Sequence, residues 1–155
     1  TENDILKLVV INRYEPNAPV AIAFIKNFGL KKAALASTVA HDCHNIIAVG
    51  IDDASICAAI NALIENKGGI AVAASEGATS CMPLPVAGLM STGNGYDVAA
   101  QYAMLDAKAK ELGTKLHAPF MTLSFMALLV IPNLKLSDKG LFNGQNFEFT
   151  SVIKH

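Results

Sequence analysis

Four polar side chains stand together in the stretch "ASTVAHDCHNIIAVG", residues 36 to 50: His41, Asp42, His44 and Asn45. They are bracketed by Ala36–Ala40 and Ile46–Gly50, both of which read as interior strand. Two imidazoles at i,i+3 with a carboxylate between them have the makings of a site, and Asp42 could ligate, or orient an imidazole through its ring N–H. An H-x-x-H pair supplies only two metal ligands, and a structural or catalytic zinc needs at least a third from elsewhere. His117, followed by "APF", is the only other internal histidine, and His155 is terminal. The alternative is a tight loop between adjacent strands. Asp42 and Asn45 would then bond backbone amides as turn residues do, and the histidines would be interior polar groups with partners. Cys43 alternates with its neighbours and is expected to face the other way.

Few other residues offer chemistry. There is no G-x-S-x-G elbow, phosphate-binding P-loop or G-x-G-x-x-G fingerprint, and the glycines of "STGNGYD" follow an extended segment without the right spacing. Arg13 is the sole arginine beside eleven lysines. Its planar fork can hold a carboxylate or a flat ligand as lysine cannot, or it can simply sit at the surface of a strand end. Ser124 in "TLSF" either faces a pocket or is a buried hydroxyl with its bond satisfied. The three cysteines, Cys43, Cys57 and Cys81, form no C-x-x-C pair, so reduced thiols in a cytoplasmic protein are expected. Cys57, on a helix, reads as core filling.

The elements that position these residues belong to a chain of 155 residues, enough for one domain with a substantial core. Its hydrophobic fraction is 52% and its charged fraction 16%, against about 25% charged in an average domain. Such a chain buries an unusually large share of itself or covers part of its surface with a partner. The net charge of −1 argues against nucleic acid or an anionic membrane as the main partner. No apolar run approaches the roughly 18 residues of a membrane span, and "FMALLVIP" is cut off by Pro132. The opening "TENDILKLVV" has no initiator Met and no signal-like leader, so a fragment or a processed chain is expected.

Strands are expected at 5–14, 20–28, 33–38 and 46–51, the first ended by the turn "EPNAP". From Asp52 the apolar period becomes helical. Ile56, Ile60, Leu63 and Ile64 share a face, Asp52 or Asp53 caps the start, Lys67 occupies the last turn, and Gly68 lies just past it. "GIAVAA" (69–74) returns to strand, and "MPLPVAGLM" (82–90) is extended because of its prolines. A second helix is expected from Gly95 to Leu112, burying Val98, Tyr102, Leu105, Ala109 and Leu112, and ended by Gly113. "PFMTLSFMALLVIP" fits strand or buried helix, and "NFEFTSV" (146–152) alternates as a last strand. The order favours an α+β fold, a single domain over 1–155 of layered mixed β-sheets with helices packed on the outer faces.

Several of these strings together carry a family resemblance. "VINRY…VAIAFIKNFGLKKAALASTVAHDCHNIIAVG", "GGIAV", "MPLPVAGLMS" and "PFMTLSFMALLVIPNLKLSDKGLF" resemble the C-terminal domain of bacterial adenine deaminase, in order, over nearly all of residues 6 to 150. The family often has Ser where Cys43 stands and "LPLPVAGLMS" where this chain has Met82. The resemblance implies part of an enzyme of purine salvage that hydrolyses adenine to hypoxanthine and ammonia. It implies that a divalent metal (manganese, iron or zinc) sits in an amidohydrolase-type (β/α)-barrel preceding this domain, where a metal-bound hydroxide attacks C6 of the purine. A barrel needs about 200 residues or more, and neither an H-x-H pair nor the H-x-E with P-C-x-x-C signature is present. The metal-binding barrel is therefore expected outside this chain, and no cofactor within it.

The implied partners are the N-terminal amidohydrolase domain of the same enzyme, adenine, and further copies in a homo-oligomer. His41, Asp42, His44 and Asn45, with Arg13 and Ser124 as lesser candidates, would then finish a substrate pocket at the barrel mouth. No catalytic residue is expected in the fragment, which alone is expected to be inactive. Two other readings stand beside this one. A purely structural or oligomerisation module is favoured by the mean hydropathy of +0.39. An independent metal site would use His41, Asp42 and His44 with His117.

Overall fold

The computed structural model describes residues 3–153. A six-stranded sheet forms the centre, from β1 (Ile5–Ile11), β2 (Val20–Lys26), β3 (Ala33–Ser37), β4 (Ile46–Gly50), β5 (Gly69–Ala74) and β6 (Thr79–Pro83), in the order β2-β1-β4-β3-β5-β6. Every pairing in it is antiparallel, as is every pairing in the small sheet of β7 (Leu134–Ser137), β8 (Gly140–Asn143) and β9 (Glu148–Phe149). The α+β fold and its layering are as the sequence indicates, but the expected mixture of parallel and antiparallel strands is replaced by uniform antiparallel pairing. Parallel neighbours need long crossovers, and the only helix between strands of the large sheet returns its chain to an antiparallel position.

The helices are α1 (Asp53–Glu65), α2 (Gly95–Glu111) and the short α3 (Pro119–Phe125). Helix α1 lies over β3–β6 on one face, where the strands present Ala34, Ala36, Ala48, Ala71 and Ala73 to Ile56, Ala59, Ile60 and Leu63. Alanine keeps this layer thin. Gly50 continues the logic, because a Cβ there would stand 2.7 Å from both the Ala34 Cβ and the Ile56 Cγ1. The opposite face is covered by α2, α3 and the small sheet. Leu35, Ile47, Val49 and Val72 there meet Leu105, Ala109, Phe120, Leu123 and Leu136 in the larger core.

Local chemistry explains the ends of α1. The Asp52 carboxylate accepts the Ser55 backbone N–H at 2.7 Å, a side-chain N-cap. At the other end Gly68 N–H bonds Leu63 O at 2.8 Å and Lys67 N–H bonds Ile64 O at 3.1 Å, the paired bonds of a Schellman ending. Lys67 itself takes the left-handed position, with φ of 57°, instead of closing the last turn as expected. Two further corrections concern α1: Ile64 and Cys57 are both exposed, because the alanine-lined groove admits only the stripe through Ile56, Ile60 and Leu63.

Elsewhere β1 stops at Ile11 and β2 at Lys26, short of the expected ends. Strand β6 begins at Thr79 inside the Ser/Gly/Thr-rich segment, and residues 84–90 form a turn closed by a Val86–Met90 bridge rather than an extended run. The segment from Pro119 resolves as the seven-residue α3 followed by turns. Strands β7 and β8 have no counterpart among the expected elements, and the expected last strand shrinks to Glu148–Phe149. Phe147 and Phe149 are largely exposed, packing edge-on against Phe142.

Candidate functional site

The antiparallel order brings the end of β1, the β3–β4 loop and the segment after β6 to one end of the large sheet. The polar loop 41–45 sits there. Its backbone is tightly folded: His44 N–H bonds Ala40 O at 2.8 Å, and Asp42 and His44 both take positive φ, 68° and 48°. Such angles are uncommon outside glycine and are most tolerated by Asn, Asp and His, so the residue types and the turn agree. Asn45 is buried, and its side-chain oxygen accepts the Arg13 backbone N–H at 3.4 Å, joining the starts and ends of neighbouring strands. Asp42 is exposed.

Arg13 serves the same loop. Its Nε donates to the His44 carbonyl at 2.6 Å and its Nη2 to the Ala87 carbonyl at 2.5 Å, while Tyr14 Oη reaches the His44 carbonyl at 3.3 Å. The guanidinium carbon lies 4.7 Å from the centre of the Tyr14 ring. Gly88 is required beneath it, since a Cβ there would come within 3.0 Å of the guanidinium and its φ is 73°. The fork that could hold a carboxylate or a flat ligand is thus engaged with two backbone carbonyls, and it fixes loop 41–45 to the turn 84–90.

On the inner side the loop rests on α3. His41 N–H bonds the Ser124 carbonyl at 3.2 Å, and the imidazole packs on Phe125 with ring centres 4.5 Å apart. The Ser124 hydroxyl donates to the Met121 carbonyl at 2.8 Å. It borders a cleft of about 60 Å³, with room for a few water molecules and too small for a purine. Ser124 therefore supports the loop through its backbone.

The imidazoles are the exception in an otherwise paired cluster. His41 Nε2 and His44 Nδ1 are both buried and have no hydrogen-bond partner. A buried polar atom without a partner loses roughly 1–3 kcal/mol of solvation that nothing returns, so these two nitrogens are the costly atoms of the loop. Cys43 packs against the main core, and burial pushes its thiol up from the ordinary cysteine value, with the charges of Asp138 and Asp42 adding to the effect against backbone hydrogen bonds that lower it. A thiol held protonated is a poor nucleophile, so nothing here assigns the sulfur a chemical part.

Among the described residues no group of three or more His, Cys, Asp or Glu side chains converges to hold a metal ion. The alternative quartet of His41, Asp42, His44 and His117 does not converge, and His117 is exposed on the connection between α2 and α3. His155 lies outside the described residues.

Several contributors were not singled out from sequence. Asn12 Nδ2 bonds the Asp138 carboxylate at 3.0 Å and its oxygen accepts the Tyr14 N–H, so the strand end is braced from the β7–β8 turn. Thr38 is buried, and its hydroxyl accepts Gly69 N–H at 2.9 Å and lies 2.5 Å from Gly88 O. "VINRY" hinted at Asn12 and Tyr14 by adjacency to Arg13. Nothing local marked Thr38 or Asp138, whose partners are distant in sequence.

The matching family model, described as the adenine deaminase C-terminal domain, covers residues 1–148. The chain belongs to that family. An adenine deaminase of Methanosarcina acetivorans is 58% identical over 152 residues, 98% of this chain and 27% of the relative. One from Sulfurovum sp. is 58% identical over 147 residues, 94% of this chain and 27% of the relative. One from Parabacteroides distasonis is 53% identical over 153 residues, 99% of this chain and 28% of the relative. The chain spans about a quarter of the length of the curated relatives it matches. As an adenine deaminase C-terminal domain, it holds "VAHDCHN" on the rim of its sheet, pinned by Arg13 and backed by α3.

Proposed function

We propose that the chain is the C-terminal domain of a metal-dependent adenine deaminase of the cytoplasm, and that its loop 41–45 completes the substrate pocket of a preceding barrel domain. The reaction adds water across C6 of adenine: the water oxygen bonds to C6, the exocyclic C–N bond breaks, and the nitrogen leaves as ammonia with the transferred protons. The domain contributes polar contacts and water exclusion at the purine edge, and no metal ligand. Its role ends where the barrel's metal begins.

One observation carries this reading: the buried nitrogens His41 Nε2 and His44 Nδ1 lack partners in a loop whose other polar groups are largely engaged. Each can donate or accept a hydrogen bond according to its tautomer, which suits the alternating donors and acceptors of a purine. Arg13 is a positioning residue that holds the His44 backbone in place. The test is adenine turnover by the full-length enzyme carrying His41→Ala or His44→Ala. Expected are a lowered kcat, an unchanged metal content and an unchanged circular dichroism spectrum. Wild-type turnover in both variants would end the pocket role.

A further inference from the structure

Strand β2 is built back to front for a domain that stands alone. Its sequence VAIAFIK places Ala21 and Ala23 into the larger core, while Val20, Ile22 and Phe24 point to the other face. There they are 50%, 49% and 60% exposed. A strand with one wet face normally turns its large apolar side chains inward and polar ones outward. Here no polar residue occurs before Lys26. Helix α1, which shields this face over β3–β6, does not extend over β2, the terminal strand of the sheet.

The exposed stripe continues onto β1. Ile5 is 49% exposed on the same face, opposite Lys26 in the register, with Lys7 opposite Phe24 and Val9 opposite Ile22. Lys7 lies between the apolar groups but turns its ammonium to Asp53 on α1, leaving its aliphatic stem on the surface. Four large apolar side chains in one contiguous row expose on the order of a few hundred Å², the size at which a patch marks an interaction surface.

The geometry points to one occupant: we infer that the β1–β2 face is the surface on which the preceding part of the same polypeptide docks. In the Methanosarcina acetivorans relative, the 152 matched residues are 27% of the protein, so about 410 residues lie outside the match. The matched family model is that of a C-terminal domain, which puts the bulk of them ahead of β1. Any such chain arrives at Ile5, the first residue of β1 and itself part of the stripe. From Ile5 and Phe24 the row runs to Val20, which pairs with Ile11 two residues before Arg13. A body seated on this face therefore reaches from the covalent junction to the end of the sheet that carries loop 41–45. This inference rests on family membership and the strand pattern, and it holds whichever side chain meets the purine.

Hydroxyl-radical footprinting of the full-length enzyme tests it, with Tyr96, 88% exposed, as the internal reference. Expected is labelling of Ile22 and Phe24, each normalised to the intrinsic radical reactivity of its residue type, several-fold below that of Tyr96, unchanged on dilution, with Lys7 or Lys26 cross-linking to lysines of the preceding chain within one molecule. A full-length Ile22→Lys, Phe24→Glu variant is expected to regain labelling of Val20 and to lose those cross-links. Labelling of Ile22 and Phe24 as strong as their exposure in the domain alone allows would overturn the inference. So would protection that disappears on dilution, or cross-links joining isotopically distinct copies, either of which assigns the face to a second copy. His41→Ala and His44→Ala are expected to leave this footprint unchanged, so failure of the pocket reading and failure of the docking surface are told apart.

Discussion

The two ends of strand β4 each carry a polar cluster, and they are opposites. After β4, Asp52, Ser55 and Ser75 close on one another: Asp52 accepts the Ser55 N–H at 2.7 Å, the Ser55 hydroxyl at 2.9 Å and the Ser75 hydroxyl at 3.0 Å. Before β4, loop 41–45 is braced from outside by Arg13, Tyr14 and the Ser124 carbonyl, yet leaves two imidazole nitrogens buried and unpaired. A cluster that only holds the fold satisfies itself. The other leaves two polar atoms unsatisfied within a backbone fixed by its neighbours, and the proposed pocket role rests on that difference.

The largest test of that contrast is catalytic. In the full-length enzyme, His44→Ala or His41→Ala is expected to lower kcat for adenine on the order of 10²-fold, comparable to losing one well-aimed polar contact. Asp52→Ala, at the other end of the strand, is expected to leave kcat unchanged. Equal effects at both ends, read by steady-state kinetics, would erase the distinction.

Next come the braces. Arg13→Lys removes the fork that joins the His44 and Ala87 carbonyls and is expected to destabilise the chain by about 1–2 kcal/mol. Thr38→Val strands the Gly69 N–H and is expected to cost about 1–3 kcal/mol. Denaturant unfolding measures both, and the Arg13 variant is also expected to lower kcat while Thr38→Val acts mainly on stability.

The closed cluster gives a smaller, pH-dependent effect. The backbone N–H of Ser55 is the main cause that lowers the Asp52 carboxyl below its ordinary value, with the hydroxyls of Ser55 and Ser75 helping and burial opposing. The folded state thus favours the charged form. Its stabilisation is fully present above the ordinary aspartate value near 3.8 and is lost as pH falls from there through the lowered folded value. Asp52→Ala is expected to cost about 1 kcal/mol at neutral pH and to flatten the acid limb of a thermal-melting profile. An unaltered acid limb would show that the cap does not titrate as described.

Smallest is a labelling difference. Cys57 is exposed on α1, whereas burial raises the thiols of Cys43 and Cys81. Iodoacetamide at neutral pH is expected to modify Cys57 first, followed by mass spectrometry. Fast reaction at Cys43 would mean that loop 41–45 opens far more readily than its bracing implies.

Local chemistry made much of the fold legible. Asp52 as a cap, the helical stripe through Ile56, Ile60 and Leu63, and the glycine after α2 all act within a few residues. Sequence periodicity therefore carried them. It could not carry the destiny of Ile64 and Cys57, which depends on how wide a groove the alanines of three strands leave. Nor could it carry β2, where alternating Ala with Ile and Phe looks like any buried strand until the sheet order puts it at an edge. At the candidate site the cluster His41–Asn45 stood out by composition alone, while Thr38 and Asp138 stayed hidden because their partners lie 31 and 126 residues away.

By itself the sequence determined an α+β chain of the adenine deaminase C-terminal family with one polar loop between apolar strands. Periodicity, capping and turn preference are short-range forces, and their signals survive in a linear text. Tertiary structure alone decided that Arg13 grips carbonyls, that two imidazoles lack partners, and that the large side chains of β2 face outward. Each of these depends on which strands become neighbours, and that is set by burial summed over the whole chain.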